Sequence, residues 1–286
     1  MTLFAVTGAT GPFGRTAIDR LIDRGVEPAD VVAIVRTPAR ATDLAARGVQ
    51  VRQGDYDAPL DEALAGVDRL LLVSGSEVGR RVPQHRNVVE TAVRAGVSRI
   101  AYTSVLRAGE TPLVIAPEHR ATEEVLARSG IAHSLLRNTW YTENFTGALA
   151  AYTSGGAVTH AAGEGRVAAA TRADLAEAAA VAIMEDDGGD VVHELAGPAF
   201  TYAELAAAVS EATGTPVVER SVSPEELSVA LAEAGLDAAT AGFLVAVDAN
   251  IAEGALDGEP ARLESLLGRR ATTLAEAVGA ALGGRA

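Results

Sequence analysis

The sequence predicts a doubly wound α/β fold, Rossmann-like, with a smaller and mostly helical C-terminal region. Three observations point there. Short apolar runs alternate with segments of helical periodicity up to about residue 144, and several of those runs are apolar at every position. The first run also ends in a glycine-rich turn that opens an amphipathic helix. Strands apolar throughout belong to sheets covered on both faces, and helical crossovers of this length join parallel neighbours in a right-handed sense.

The elements follow in order. Thr2 to Thr7 reads as the first strand, and Phe13, Ala17, Ile18, Leu21 and Ile22 form one helical face that Gly25 stops. Val31 to Val35 is the second strand, followed by helix over Arg40–Arg47, strand over Val49–Arg52, helix near Leu60–Leu64 and strand over Arg69–Val73. The alternation goes on with helix over Gln84–Arg94, strand over Arg99–Thr103, helix over Glu118–Arg128 and strand over His133–Leu136. Beyond Asn144 the helices lengthen and fill with alanine, and strand candidates shrink to the neighbourhoods of Val158, Val167, Val192 and Val217. Thr201 with Glu204 and Thr273 with Glu276 have the spacing of capping boxes, and Ser223 caps a helix that starts at Pro224. The expected organisation is a dinucleotide-binding domain over 1–144 and a smaller substrate-side region over 145–286, with a strand near 191–196 returning to the main sheet.

Composition narrows the function. The formal net charge of −14 opposes nucleic-acid binding, which needs clustered positive charge. No stretch reaches the roughly 20 apolar residues of a membrane span, and strand-like residues from Leu3 leave no room for a secretory leader, so a cytoplasmic protein is expected. There is no cysteine, hence no disulfide and no thiolate chemistry. All 24 basic residues are arginine, so neither a lysine Schiff base nor a Tyr-Lys proton relay can form. The 5 histidines show no ligand spacing with carboxylates, so no metal site is expected, and no G-x-S-x-G nucleophile elbow occurs.

The chemistry-bearing motif is the first βα turn, Thr7-Gly8-Ala9-Thr10-Gly11-Pro12-Phe13-Gly14. Its G-x-x-G-x-x-G spacing is a relative of the dinucleotide fingerprint. Gly8 permits the tight turn, Gly11 lets the backbone approach a diphosphate, and Gly14 lets the helix lie against the strand. Gly8, Ala9, Thr10, Gly11, Pro12 and Phe13 are therefore the candidate diphosphate cradle. Pro12 suits a first helical turn, whose amides have no intrahelical partners and can face phosphate. At the tip of the second strand NAD-binding folds place an acidic residue for the ribose hydroxyls; here Arg36 stands, a guanidinium suited to a 2′-phosphate. NADPH is the expected cofactor, with NADH a weaker second. Asp55, at the third tip, is placed to accept from the adenine amino group or to cap a helix. Ser74, Gly75 and Ser76 bring small residues to the fourth tip, as Thr103 and Ser104 do to the fifth, where ligands bind such sheets.

Longer segments carry a family likeness: VAIVRTPAR at 32–40, VRQGDYD at 51–57, LLLVSGSEVGRRVPQHRNV at 70–88, IAYTSVL at 100–106, LLRNTWYTEN at 135–144, AAGEGRVAAATRAD at 161–174 and ELAG at 194–197. In these the chain resembles the NmrA-like branch of the atypical short-chain dehydrogenases/reductases, and within it the bacterial NAD(P)H:quinone oxidoreductases of type 2. The resemblance implies NADPH with its nicotinamide near Thr139, Trp140, Tyr141, Thr142, Glu143 and Asn144, and a cofactor contact from Arg172. It also implies a small quinone as substrate and is compatible with a homodimer.

The chain departs from alcohol-oxidising members of that superfamily, which pair a tyrosine with a lysine four residues on. Tyr102, Tyr141 and Tyr152 are followed at that spacing by Leu106, Phe145 and Gly156. Quinone reduction relaxes this demand: hydride delivery leaves a delocalised anion that water can protonate, and the protein holds two flat rings in contact. Tyr141, Trp140 and the Gly75–Arg81 loop are the pocket candidates, and Tyr141 and His119 the candidate catalytic side chains. Two other classes fit less fully, a dinucleotide-binding redox sensor without turnover and an isomerase or epimerase with tightly held cofactor.

Overall fold

A computed structural model describes residues 1–185 and 188–283. In chain order the first strands and helices are β1 (Phe4–Val6), α1 (Pro12–Asp23), β2 (Val31–Val35), α2 (Thr42–Ala46), β3 (Gln50–Gln53), β4 (Arg69–Leu72), α3 (Arg81–Ala95), β5 (Arg99–Val105), α4 (Ala116–Ser129) and β6 (Ala132–Asn138). Then come α5 (Glu143–Thr146), α6 (Leu149–Gly155), β7 (Ala157–His160), α7 (Arg172–Met184), β8 (Val191–Leu195), α8 (Tyr202–Thr213), β9 (Val218–Ser221), α9 (Pro224–Glu233), α10 (Ala238–Ala252), α11 (Ala261–Leu267) and α12 (Leu274–Gly283).

The main sheet has seven strands in the order β3-β2-β1-β4-β5-β6-β8, and every pairing is parallel. β2 and β5 are buried along their whole length, which is why their sequences do not alternate. On one face α1 packs against α7 and α7 against α11; on the other α3 packs against α4. Phe13, Ala17, Ile18 and Leu21 of α1 share a core with Leu175, Ala179 and Ile183 of α7. The strand order reverses between β1 and β4, so the carboxyl ends of those strands diverge into a crevice, the place where ligands bind such sheets.

The region expected near Leu60–Leu64 as helix is instead a series of turns, with Leu64 N–H reaching Leu60 C=O at 2.9 Å. Only a few residues separate Pro59 from Gly66, too few to offset helix nucleation, and Leu60, Ala63 and Leu64 bury without it. Val167 likewise forms only an isolated antiparallel bridge with Phe200. The strand around Val192 does return to the main sheet as β8, register Leu135 to Val192 against β6. Immediately after it, Gly197 lies so close to the Ala169 carbonyl that a Cβ there would sit 2.0 Å from the oxygen.

The remaining elements build a second core beside the carboxyl edge. β7 and β9 pair in parallel, and α8, α10 and α12 supply Leu205, Val209, Val247, Ile251 and Val278 around Phe145 and Phe200. Asp248 of α10 ties it together, accepting from the Tyr202 hydroxyl at 2.6 Å and from Ala161 N–H at 2.7 Å. The capping boxes at Thr201 and Ser223 form, and Thr273 and Glu276 exchange the reciprocal bonds of a third.

Candidate functional site

A cavity of about 480 Å³ opens at the strand-order reversal. Its floor is the first βα turn. Gly8 has φ +60°, a conformation that β-carbons disfavour, and Gly11 caps α1 with no side-chain hydrogen bond, so no cap occupies the first-turn amides. Gly14 is packed against the turn: a Cβ there would stand 2.6 Å from the Gly8 oxygen. The turn and the helix therefore approach as one piece, with the positive end of the helix dipole facing the cavity. These features fit a dinucleotide diphosphate.

Of the residues expected at the site, Gly8, Thr10, Gly11, Pro12, Phe13, Arg36, Asp55, Ser74, Gly75, Ser76, Tyr141 and Arg172 line the cavity. The Arg36 side chain is 73% exposed and its ion pair with Glu77 is long, 3.9 Å, so its donors remain available to an anionic ligand. Asp55 accepts the Asp57 N–H at 3.1 Å, a turn-forming contact that leaves the residue on the cavity wall and replaces the alternative of a helix cap. Glu77, from the Gly75–Arg81 loop expected at the pocket, also lines the cavity; Arg40, Tyr56 and Gln84 line it too and were not singled out from sequence, although all lie inside segments of the family likeness.

The other expected residues stand behind this wall. Ala9 is fully buried, and Thr139 and Thr142 are buried at the end of β6. Trp140 turns away from the cavity and stacks on Phe243 of α10, ring centroids 6.3 Å apart. Glu143 accepts the Arg172 N–H with both carboxylate oxygens, at 2.9 and 3.1 Å, and Asn144 receives the Arg172 guanidinium at 3.4 Å. Both hold Arg172, which lies 4.8 Å over the Tyr141 ring, within cation–π range. The TWYTEN segment thus places Tyr141 on the cavity wall and uses its acidic and amide residues to fix the arginine above it. Burial pushes the Tyr141 phenol up, with the Arg172 charge pulling the other way, so the hydroxyl stays protonated at neutral pH. Asn138, the last residue of β6, is buried with neither amide atom in a hydrogen bond.

His119 occupies neither the cavity wall nor the surface. It is 4% exposed on the core-facing side of α4, and its Nδ1 shares a hydrogen bond of 2.8 Å with the Tyr102 hydroxyl. Burial, then the charge of Arg81, pushes its pKa down to about 3, so it is a neutral ring sealed from the cavity, not an available proton donor. Thr103 and Ser104 separate similarly: Thr103 Oγ1 accepts the Ser74 N–H at 2.7 Å, whereas Ser104 donates to buried Glu123 at 2.5 Å.

Against this geometry the comparisons with known proteins are consistent. Residues 8–186 match the family model described as NAD(P)H-binding. The chain is 46% identical to quinone oxidoreductase 2 of Escherichia coli over 96% of its own length and 97% of the relative's. Its fold superposes on the E. coli NADPH-dependent quinone oxidoreductase complexed with NADPH at a TM-score of 0.93 and 44% identity, covering 98% of this chain and all (100%) of that one. It also superposes on the Citrobacter sp. triphenylmethane reductase complexed with NADP(H), TM-score 0.92 and 38% identity over 97% of this chain and 99% of that one. A diphosphate cradle at the strand-order reversal and these full-length likenesses lead to one placement: the chain belongs to the NAD(P)H-binding family of Rossmann-like oxidoreductases.

Proposed function

We infer that this protein is an NAD(P)H:quinone oxidoreductase that prefers NADPH and reduces quinones by hydride transfer. The observation that carries it is the cavity in which the glycine turn, Arg36 and the Arg172–Tyr141 pair face one another. In this reading the diphosphate takes the turn amides not spent on the protein's own carbonyls, those of Thr10 and Phe13 among them, and Arg36, with Arg40 on the same cavity wall, grips the 2′-phosphate. Asp55 meets the adenine amino group, Ser74 to Ser76 flank the ribose, and Tyr141 and Arg172 face the nicotinamide end. When bound, the nicotinamide supplies the hydride. Tyr141 presents its ring as a flat wall for the substrate, and its protonated hydroxyl serves as a hydrogen-bond donor toward a quinone oxygen. Water completes the protonation, so the absence of lysine from the chain is no obstacle.

Residues 1–144, joined by α7 with Arg172 and by β8, supply the dinucleotide layer in this reading, and the rest of the chain from 145 the substrate side. The named relatives are an oxidoreductase and a reductase, which favours turnover over a dinucleotide sensor. Among the described residues no helix is long and apolar enough to cross a membrane. A cytoplasmic homodimer belongs to the same proposal, and light scattering on purified protein tests the dimer.

The test of function is oxidation of NADPH, followed at 340 nm, with and without a benzoquinone or naphthoquinone. Stimulation by the quinone is expected, and Tyr141→Ala is expected to lower turnover by about tenfold, the scale of one lost hydrogen bond and ring contact. Saturable NADPH binding without any quinone-dependent oxidation would return the sensor as the better account.

A further inference from the structure

The wall of the cavity between Val73 and Gly75 lies beyond the last ladder residue of β4, yet side chains from other elements hold it group by group. Val73 N–H donates to Thr7 Oγ1 at 2.9 Å and Ser74 N–H to Thr103 Oγ1 at 2.7 Å. Tyr56 donates to the Val73 carbonyl at 2.7 Å. Two residues of α3 hold Gly75 through the peptides on either side of it. His85 Nε2 stands 2.9 Å from the Gly75 N–H, and the Arg81 Nε–H donates to the Gly75 carbonyl at 2.6 Å.

The bonds around His85 determine which nitrogen carries its proton. Thr122 donates its hydroxyl to the Glu118 carbonyl at 2.9 Å, so its oxygen is left to accept from His85 Nδ1, 3.0 Å away. Nδ1 is therefore the protonated nitrogen, and Nε2 is free to accept from Gly75. Tyr56 and Tyr102 meet the His85 ring edge-on with centroids 6.0 and 5.4 Å away, His119 lies beyond Tyr102, and from α3 and α4 come Arg81 and Glu118, paired at 3.4 Å. His85 is fully buried and does not line the cavity.

We propose that His85 is a positioning residue for the cofactor: its unprotonated Nε2 fixes the Gly75 peptide, and through it the Ser74–Ser76 wall against which NADPH binds. The proposal rests on the quinone-reductase reading of the same cavity. Burial, followed by the Arg81 charge, pushes His85 down to about 4, which keeps the acceptor nitrogen free at neutral pH.

Three variants test it. Glutamine carries a terminal acceptor at the reach of Nε2, asparagine's amide is too short, and leucine has none. His85→Gln is expected to keep the KM for NADPH within about threefold of wild type, whereas His85→Asn and His85→Leu raise it about tenfold, the scale of one hydrogen bond. kcat and the KM for quinone stay within about twofold, since the lost contact acts on cofactor binding alone. A purely structural role gives the opposite split: less folded enzyme lowers the apparent kcat and leaves the KM for NADPH unchanged. An unchanged KM in His85→Asn, or an equal rise in His85→Gln, overturns the proposal. If His85→Leu does not fold, the Asn and Gln variants decide. If wild-type enzyme oxidises no NADPH with quinone, the function fails instead, and the same variants are then ranked by NADPH fluorescence titration.

Discussion

Replacing Gly14 by alanine sets two effects of known sign against each other. The residue lies in the first turn of α1, where alanine is favoured over glycine by up to about 1 kcal/mol. Against that, the new Cβ would meet the Gly8 oxygen at 2.6 Å, the Gly8 carbonyl carbon at 2.9 Å and the Ala9 Cα at 3.0 Å, all main-chain atoms that no rotamer change can move. Non-bonded carbons settle at about 3.5–4.0 Å, so helix and turn must separate by roughly 1 Å, and overpacking of this kind costs about 1–3 kcal/mol. The clash wins, by up to about 2 kcal/mol, or a Tm lower by up to roughly 3–4 °C in a chain of this size. The same displacement pulls the turn amides from the diphosphate. Losing one hydrogen bond to a charged group weakens NADPH by about 1.5–3 kcal/mol, so Kd should rise roughly 10- to 100-fold. Differential scanning fluorimetry and NADPH fluorescence titration read the two halves separately. Gly242→Ala is the control, an exposed position in α10 with nothing within 4 Å of the new Cβ, expected to stabilise by about 0.5–1 kcal/mol and leave Kd alone. If Gly14→Ala behaves like this control, the turn is not a close-fitting cradle.

Three further outcomes are expected. Arg36→Ala should weaken NADPH by about 1.5–3 kcal/mol and leave NADH nearly untouched; equal losses for both in a binding titration would remove the arginine from the 2′-phosphate. His85 and His119 have folded pKa values of about 4 and about 3 against 6.5 for a free imidazole, so between these limits the unfolded chain binds more protons than the folded one. Stability should therefore fall as pH drops from about 6.5 toward 4, by on the order of 2 kcal/mol per histidine at pH 4.5. In urea unfolding at pH 7 and 4.5, His119→Gln should flatten that fall, and an unaltered fall would show that other groups govern it. Asp248→Ala strands the Tyr202 hydroxyl and the Ala161 amide in the second core and should cost about 2–4 kcal/mol by denaturant titration, while Asp248→Asn, which keeps one acceptor, should cost less.

The fold was legible wherever burial wrote itself into composition. β2 is apolar from Val31 to Val35 because both its faces are covered, one by α1 and the other by the Leu60–Leu64 turns, and the glycine turn is legible because backbone proximity excludes side chains whatever the surroundings. The site was less legible where direction matters more than position. Thr139 to Asn144 follow one another, but neighbours along an extended segment point to opposite sides, so Tyr141 faces the cavity while Trp140 stacks on Phe243. Nothing in the sequence states that Glu143 and Asn144 reach 28 or 29 residues ahead to hold Arg172. His85 escaped notice for a related reason: its role is set by the Gly75 amide and the Thr122 hydroxyl, contacts made across three elements.

The return of β8 to the sheet also constrains how the chain acquires its shape. β6 is complete at Asn138, but its outer edge stays open until Val191–Leu195 has been made, and the apolar face of α1 stays bare until α7 arrives. During synthesis the nascent N-terminal layer therefore emerges with an unsatisfied edge and a bare apolar flank of Phe13, Ile18 and Leu21 for some fifty residues' worth of elongation, roughly 3–11 seconds at ribosomal rates of about 5–20 residues per second. Completion of the sheet waits for a sequence-distant partner, and because such long-range parallel pairing is slow, the unfinished edge is the chain's exposure to aggregation.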